Sequence, residues 1–160
     1  MYKDQTIQEI NHEWQRFLKV ANRFEDKELL IKGAVGQWNA IEALLHLSAW
    51  DEELVSVIKS YLNDGEERDY GDNEATDLLN AQQVHEKRGM TPDQSWDRLH
   101  DTHETFLSFL KGLPEDVFKP NSYVINLVNM AAGATSGHYR MHGDDLERFK
   151  SSIPYICSLD

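Results

Sequence analysis

Apolar residues along the first part of the chain recur at the spacing of a helix. Ile7 begins a stripe of apolar positions three and four residues apart that runs to Ala21, without the alternation typical of a strand. Thr6 stands just before the stripe and Glu9 follows three residues later, which is the pattern of a capping box. We therefore expect a first helix that begins at Thr6.

A second helix is predicted from Ala40 to about Leu62. Asn39 is a good N-cap residue, and Glu42 supplies the acid that completes a capping box. The buried side of this helix is marked by residues at helical spacing, namely Ile41, Leu44, Leu45, Ser48, Val55 and Ile58. An acidic loop follows, and residues 73–87 are expected to form a short helix.

The third long helix has the clearest start in the chain. Thr91 is a cap residue, Pro92 occupies the first helical position, and Gln94 lies three residues after the cap. Side chains spaced by three and four residues then form a seam, a stripe that is expected to face the other helices of a bundle: Trp96, Leu99, His103, Phe106 and Leu110. The helix is expected to end near Gly112.

The last long helix is expected from about Ser122 through Phe149. The residues placed beyond its end are Ser151, Ser152 and Pro154. Four long amphipathic helices with short or moderate links predict an all-α protein, a four-helix bundle in a single domain over residues 1–160. The longer connection between the second and third helices permits a crossover, so the topology need not be a simple up-down one.

Composition narrows the classes of function. The chain has 160 residues, 40% of them hydrophobic, with four Trp, six Tyr and six Phe, which indicates a globular core. A net charge of −12 opposes binding to nucleic acid and to anionic membranes, because both attract Lys and Arg patches. The N-terminus lacks the apolar stretch of a signal peptide, and no apolar run reaches the roughly 20 residues that span a bilayer. The single Cys157 excludes an internal disulfide, and we expect a cytoplasmic protein.

Two histidines one helical turn apart are the strongest sign of chemistry. His138 and His142 project from the same face of the predicted last helix. His46 lies in the second helix, and an imidazole from a facing helix would complete a metal site of three nitrogens. Such a set leaves coordination positions open, which suits catalysis better than a structural role.

Each histidine also has a structural interpretation. His46 could be satisfied by a neighbour at the edge of the core. His138 and His142 could lie on a solvated face near a helix C-terminus, where cations suit the helix dipole. Against that, their stripe continues through Asp145 and Phe149 and runs back through Ala131, Ala134 and Thr135, so we expect it to face inward. Asp145 could then orient a ligand imidazole, or could be exposed.

Three further residues are candidates for proton transfer at such a site. His103 occupies a seam position, so it is a buried, hydrogen-bonded imidazole, an acid or base in a pocket, or a fourth metal ligand. Tyr139 follows His138 and could donate a proton through its phenol, although most such tyrosines are structural. Glu53 lies about two turns after His46 and could polarise a water molecule on the metal.

Two segments resemble the DinB-like superfamily. The sequence GQWNAIEALLHLSAWDEE resembles its second-helix signature, in which a Trp precedes the helix and a His is followed by an aromatic residue one turn later. The sequence GHYRMHGDDLERF resembles its last helix, an HYxxH pattern followed by acidic residues. Helix order, length and spacing are similar throughout. The segment NAQQVHEKRGMTPDQSWDRL also resembles a related branch that includes colibactin self-resistance proteins.

The resemblance implies a four-helix bundle with a crossover, often a homodimer, and one divalent metal, commonly zinc or nickel. The metal histidines of the superfamily match His46, His138 and His142. Characterised members include S-transferases that use bacillithiol, mycothiol or glutathione, thiol-dependent isomerases, and hydrolases of reactive electrophiles. The resemblance therefore implies a small-molecule substrate and a low-molecular-weight thiol as co-substrate. A local basic patch at Arg88 or Arg140 could bind such an anionic thiol.

These observations lead to three hypotheses about function. The first is a metal-dependent enzyme, a thiol S-transferase or hydrolase that detoxifies a small electrophile. The second is a non-catalytic bundle that binds a metal or ligand in a stress response. The third is a dimeric scaffold in which the histidine triad is vestigial. Ligand type alone does not identify the metal, because imidazoles accept zinc, nickel, copper and iron alike.

Overall fold

The structure, a computed structural model, describes residues 2–129 and 135–156, with the side chains up to residue 154. Seven α-helices are formed by these residues, and their bounds are α1 Tyr2–Ala21, α2 Asp26–Leu29, α3 Ala40–Asp64, α4 Asn73–Glu86, α5 Pro92–Gly112, α6 Tyr123–Val128 and α7 Ser136–Ile156. A 3-10 helix spans Glu115–Phe118. The described chain is all-helical, as predicted, apart from an isolated bridge between Val35 and Trp38.

The predicted caps of α3 and α5 are both present. Asn39 Oδ1 accepts a hydrogen bond from the Glu42 backbone N–H at 2.9 Å, and Glu42 Oε2 accepts one from the Asn39 N–H at 2.9 Å. Thr91 and Gln94 form the same reciprocal pair around Pro92. Each pair satisfies backbone N–H groups that have no partner inside the helix. Both helices therefore begin at the predicted residue.

The prediction that the first helix begins at Thr6 is wrong. α1 begins at Tyr2, and Thr6 Oγ1 donates to the Tyr2 carbonyl oxygen at 3.0 Å, one turn back. A hydroxyl that bonds back within its own helix is not available as a cap. Glu9, the proposed partner of that cap, instead pairs with Arg140 of α7 at 3.4 Å.

The single helix predicted over residues 122–149 is two helices. Ser122 caps the first of them, α6, because its Oγ accepts a hydrogen bond from the Ile125 N–H at 3.2 Å. Thr135 has a φ of 75°, which a right-handed helix cannot contain, and its Oγ1 donates to the Val128 carbonyl oxygen at 2.7 Å. α7 starts at the next residue. Two residues of the predicted inward stripe, Ala131 and Ala134, lie outside the described residues.

α7 also ends later than predicted, at Ile156. The hydroxyls of Ser151 and Ser152 donate to carbonyl oxygens of the preceding turn, at 3.0 and 2.7 Å, so both serines belong to the helix. Pro154 lies inside the last turn. Its missing N–H removes one hydrogen bond near the helix end, where the loss affects no later turn. Cys157 lies outside the described residues.

α1 and α7 lie side by side and run in the same direction. Arg16 of α1 pairs with Asp144 of α7. Farther along both helices Arg23 pairs with Glu147, so residue numbers rise together across the contact. This pair and the pair formed by α3 and α5 are the two most extensive helix contacts in the described part of the chain.

α3 and α5 form the second parallel pair. Glu52 pairs with Arg98, and farther along the Lys59 ammonium lies 5.5 Å from the centroid of the Phe109 ring. Two parallel helices need a connection that returns the chain to the starting end. Residues 65–91, which include α4, provide that connection between the second and third long helices.

The two pairs run in opposite directions around a common core. Lys3 Nζ of α1 donates to the Leu113 carbonyl oxygen after α5, whereas Trp14 stacks on His103 near the middle of α5. Residues between the pairs are fully buried and apolar, including Ile10, Phe17, Leu44, Leu54, Leu99, Phe106 and Leu110. Among the described helices, none is both long and apolar enough to cross a membrane.

Candidate metal centre

Three histidines meet in the interior and form the metal cluster: His46 of α3, and His138 and His142 of α7. Their side chains are 2–4% exposed. His46 Nε2 and His138 Nε2 are 2.8 Å apart, and one ligand nitrogen from each residue lies within 4.8 Å of the others. The helical spacing of His138 and His142 brings their ring centroids to 4.7 Å. The structure thus brings together the three histidines that the sequence singles out.

Two buried nitrogens of the metal cluster, His46 Nδ1 and His142 Nε2, have no hydrogen-bond partner among the described residues. A buried polar atom without a partner costs about 1–3 kcal/mol, so native proteins rarely contain one without a reason. Around a tetrahedral ion with bonds of about 2.0–2.1 Å, ligand nitrogens stand about 3.3 Å apart. The donors of this cluster fit a divalent ion after a small adjustment of the rings.

Burial keeps the His46 and His138 imidazoles neutral. Desolvation, helped by the neighbouring His142, lowers the pKa of His46 to about 3. Desolvation also lowers the pKa of His138 well below its usual range, and His46 and His142 add to the effect. Only a neutral imidazole has the lone pair that binds a metal. At neutral pH His46 and His138 therefore have the unprotonated nitrogen that a metal ligand needs.

Asp145 lies one turn after His142 and contacts its outer nitrogen. His142 Nδ1 and Asp145 Oδ2 are 3.1 Å apart, so a neutral ring donates from Nδ1 and leaves Nε2 as the free lone pair. Asp145 also forms an ion pair with Arg148 on the same helix. This is the geometry of a carboxylate that orients a ligand imidazole.

The metal cluster borders a cavity of about 510 Å³. The walls include aromatic, sulfur and polar side chains: Trp38, Trp50, Tyr70, Asp77, Asn80 and Met141. Asn80 Oδ1 accepts a hydrogen bond from Trp50 Nε1 at 2.8 Å, which fixes α4 to α3 at this wall. Among the described residues that line the cavity, none is Lys or Arg, and Asp77 is the only acid.

Tyr139 and His103 meet in a separate buried group, the core cluster, together with Asp51. Tyr139 Oη lies 2.8 Å from His103 Nδ1 and 2.8 and 2.7 Å from the two carboxylate oxygens of Asp51. Trp14 stacks on the His103 ring, with centroids 3.8 Å apart. None of the three members of the core cluster lines the cavity beside the metal cluster.

Sequence reasoning missed Asp51. The signal was available, because this acid continues the steps of three and four residues from Ser48 to Val55 on the buried side of α3. Desolvation raises the pKa of Asp51 to about 8, although the Tyr139 hydroxyl opposes that change. Desolvation likewise raises the pKa of Tyr139 well above its usual range and lowers the pKa of His103 to about 3.

Glu53 and Glu42 lie outside both clusters. Glu53 Oε1 accepts a hydrogen bond from the Tyr70 hydroxyl at 3.3 Å and does not line the cavity. Glu42 serves the α3 cap, as its position in the sequence favours, and pairs with Lys32 and Arg88. The histidines without supporting sequence context, His12 and His85, are exposed.

The comparison with protein families agrees with this geometry. A model of the DinB superfamily matches residues 9–143, which include all three histidines of the metal cluster. No curated protein and no solved structure is significantly similar to the chain. The match does not address the colibactin self-resistance branch, which stays a prediction. Because the match covers well over half of the residues, the chain belongs to the DinB superfamily.

Proposed function

We propose that this protein is a divalent-metal-dependent enzyme that acts on a small electrophile, with zinc or nickel held by His46, His138 and His142. The observation that supports the proposal is a set of three convergent, buried imidazoles beside a cavity. A structural zinc site closes all four positions with protein ligands. Within the described part of the chain, the cluster has no fourth His, Cys, Asp or Glu, so a position is left for a substrate.

When bound, such an ion supplies Lewis-acid activation of a water molecule or a thiol near neutral pH. The chain contributes the surroundings of that chemistry. Asp145 holds the His142 ring in the orientation that points Nε2 at the cluster. Trp38 and Trp50 offer apolar walls on which an electrophile can bind out of bulk water. The leading reactions are thiol S-transfer and hydrolysis, in detoxification of the electrophile.

The cavity lining favours a neutral or cationic organic group. Aromatic faces are negatively polarised, and Asp77 adds a carboxylate to the same lining. Bacillithiol and glutathione carry carboxylates, for which the described lining offers no cationic partner. A neighbouring cavity that shares Trp38 is lined by Lys32 and Arg88. We propose that an anionic thiol, if it is the co-substrate, places its carboxylates there.

Proton transfer by Tyr139, His103 or Glu53 stays a prediction. None of the three lines the cavity, so each would have to act through another group or after a movement. We also propose that the four long helices are the four-helix bundle implied by the resemblance, with residues 65–91 as its crossover. Homodimer formation and a cytoplasmic location stay predictions.

Elemental analysis of the untagged protein tests the metal. The wild type is expected to contain about one divalent ion per chain, and the His138→Ala/His142→Ala variant none, because two of three ligands are gone. The matched control is His12→Ala/His85→Ala, which removes two exposed histidines and is expected to retain the ion. Zinc at 100 times its Kd should raise the free energy of unfolding of the wild type by about 2.7 kcal/mol. Absence of metal from the wild type after addition of zinc and nickel would contradict the proposal.

Turnover separates an enzyme from a bundle that only sequesters a metal or ligand. The zinc- or nickel-loaded protein is incubated with neutral aryl electrophiles and a series of thiols, and product is followed by mass spectrometry. An enzyme is expected to give many products per chain with the wild type and background rates with His46→Ala. At most one bound molecule per chain, without turnover, would favour the sequestering bundle.

A further inference from the structure

The core cluster joins three long helices directly beside the metal cluster. Tyr139 of α7 contacts Asp51 of α3 and His103 of α5, all within 2.8 Å. Trp14 of α1 covers the His103 ring. Tyr139 is also the residue that follows His138 in α7. Tyr139 contacts two other long helices and is adjacent to His138, so its contacts can set the position of that histidine.

Helix α7 contacts α3 at two points along its length, one in each cluster. Consecutive residues leave a helix about 100° apart, so Tyr139 reaches Asp51 while His138 reaches His46. Asp51 lies five residues after His46, which corresponds to about 7.5 Å along the α3 axis. Two separated contacts with one helix fix both the rotation and the translation of α7. Either contact alone would define the position of α7 against α3 less completely, although α7 also packs along α1.

The hydrogen bonds of the core cluster survive a change in the charge of Asp51. When Asp51 is ionised, the Tyr139 hydroxyl donates to it and accepts from His103 Nδ1–H. When Asp51 is protonated, it donates to Tyr139, which then donates to His103 Nδ1. Among the described residues, Tyr139 is the only hydrogen-bond partner of the Asp51 side chain. Loss of the hydroxyl therefore leaves a buried carboxyl unsatisfied.

A core that required only volume would have an apolar side chain in place of Asp51. Burial of a carboxyl is unfavourable, and well-packed apolar residues often replace buried polar groups without loss of stability. The hydrogen bonds of Asp51, in contrast to apolar contacts, impose one direction and one distance on Tyr139. The advantage of a buried acid at this point is therefore geometric.

We infer that Asp51, Tyr139 and His103 are positioning residues for the metal centre. They hold α7 at the rotation that presents His138 and His142 to His46. The inference rests on the proposed metal-binding function, and it assigns the three residues no contact with the ion or the substrate. It gives Tyr139 and His103 a role that fits their place in the core.

Cobalt is the probe, because the visible spectrum of Co²⁺ reports the geometry of its ligands. Tyr139→Phe keeps the ring and removes the hydroxyl. We expect it to bind Co²⁺ about 10- to 100-fold more weakly than the wild type, in competition with a chromophoric chelator, and with an altered spectrum. Asp51→Asn is expected to act in the same direction. The double variant should be hardly weaker than the worse single variant, because both changes break one interaction.

Two controls separate positioning from general loss of stability. Tyr123→Phe removes another hydroxyl, which accepts a hydrogen bond from the Arg68 N–H at 2.7 Å outside both clusters. Leu110→Ala truncates a fully buried core residue that belongs to neither cluster. Both variants are expected to keep the wild-type affinity and spectrum for Co²⁺. A spectral change in Leu110→Ala as large as that in Tyr139→Phe would overturn the inference.

Ring-nitrogen NMR of the metal-free protein distinguishes failure of the inference from failure of the proposed function. Tyr139→Phe is expected to shift the ¹⁵N signals of His138 and His46, whose nitrogens are in contact. If the wild type binds Co²⁺ and Tyr139→Phe binds it equally well with the same spectrum, the inference is overturned and the proposed function stands. If the wild type binds no Co²⁺, the proposed function fails. In that case the assignment of the three residues to a metal centre fails with it, and the ring signals of Tyr139→Phe report only whether the hydroxyl positions the histidine rings.

Discussion

The metal cluster and the core cluster lie side by side at the same depth, but they satisfy their polar atoms differently. In the core cluster, the Tyr139 hydroxyl is shared by Asp51 and His103, and only His103 Nε2 lacks a partner within the described part of the chain. In the metal cluster, neither His46 Nδ1 nor His142 Nε2 has a hydrogen-bond partner in that same part. The polar atoms of the core cluster are bonded mostly to one another, whereas the metal cluster has two ring nitrogens that bond to no described residue.

The surroundings of the unpaired atoms differ as well. All three rings of the metal cluster border one cavity. In the core cluster the Trp14 ring stacks on one face of His103, and Asp51 lines a different cavity of about 520 Å³. Burial and shifted pKa values occur in both clusters, so neither property identifies a binding site. An unpaired donor atom together with adjoining space does identify one. This comparison supports the two proposals, ligand binding at the metal cluster and positioning by the core cluster.

The largest effect on stability is expected at Trp14, which contacts the core cluster, in comparison with Trp38 beside the metal cluster. Trp14 is 4% exposed and stacks on His103, so Trp14→Ala should lower the free energy of unfolding by about 3–5 kcal/mol. Trp38 is half-buried and lines the cavity near His46, so Trp38→Ala should cost only about 1 kcal/mol. Urea unfolding of the metal-free variants measures both. Equal losses would show that the two clusters are packed alike.

The next effect is the pH dependence of the free energy of unfolding, to which Asp51 and His103 contribute in opposite directions. The pKa of Asp51 is raised to about 8, so its contribution to stability is present in acid and lost as the pH rises toward 8. The pKa of His103 is lowered to about 3, so its contribution is present above pH 6.5 and lost as the pH falls toward 3. Each group adds a slope of about 1.4 kcal/mol per pH unit, of opposite sign.

Single variants separate these slopes. Between pH 6.5 and 8, Asp51→Asn should remove a decline of stability with rising pH that the wild type shows. Below pH 6.5, His103→Gln should remove part of the decline with falling pH. Urea unfolding of the metal-free protein at a series of pH values gives the slopes, and effects of other groups cancel between wild type and variant. An unchanged slope in Asp51→Asn would contradict the assignment of a buried, protonated carboxyl.

The smallest effect is expected at Gly143, which lies on α7 between the two clusters and α1. A Cβ at this position would meet the Phe17 Cα at 3.7 Å, an ordinary contact. Gly143→Ala should therefore raise the free energy of unfolding by about 0.5–1 kcal/mol, because glycine is a poor helix former. Thermal unfolding measures the gain. Metal affinity should not change, and a loss of affinity would show that the helix backbone at Gly143 has to move for binding.

Local signals predicted most of the helices. The reciprocal caps at Asn39 and Thr91 fixed the starts of α3 and α5, because a cap depends only on residues within one turn. The same rule failed at Thr6, whose hydroxyl had a carbonyl of its own helix to bond with. It also failed over residues 122–149, where apolar spacing continued across the break at Thr135. Periodicity cannot report a single positive φ angle.

The amino-acid sequence by itself determined the all-helical fold, the three histidines of the candidate metal site and the membership of the superfamily. These properties follow from residue type and from spacing within one helix. Only the tertiary structure decided which polar side chains share a partner. Asp51, Tyr139 and His103 are far apart along the chain, and they meet because α3, α5 and α7 pack together. Contacts between helices depend on the rotation of each helix about its axis, which the packing of the whole core sets.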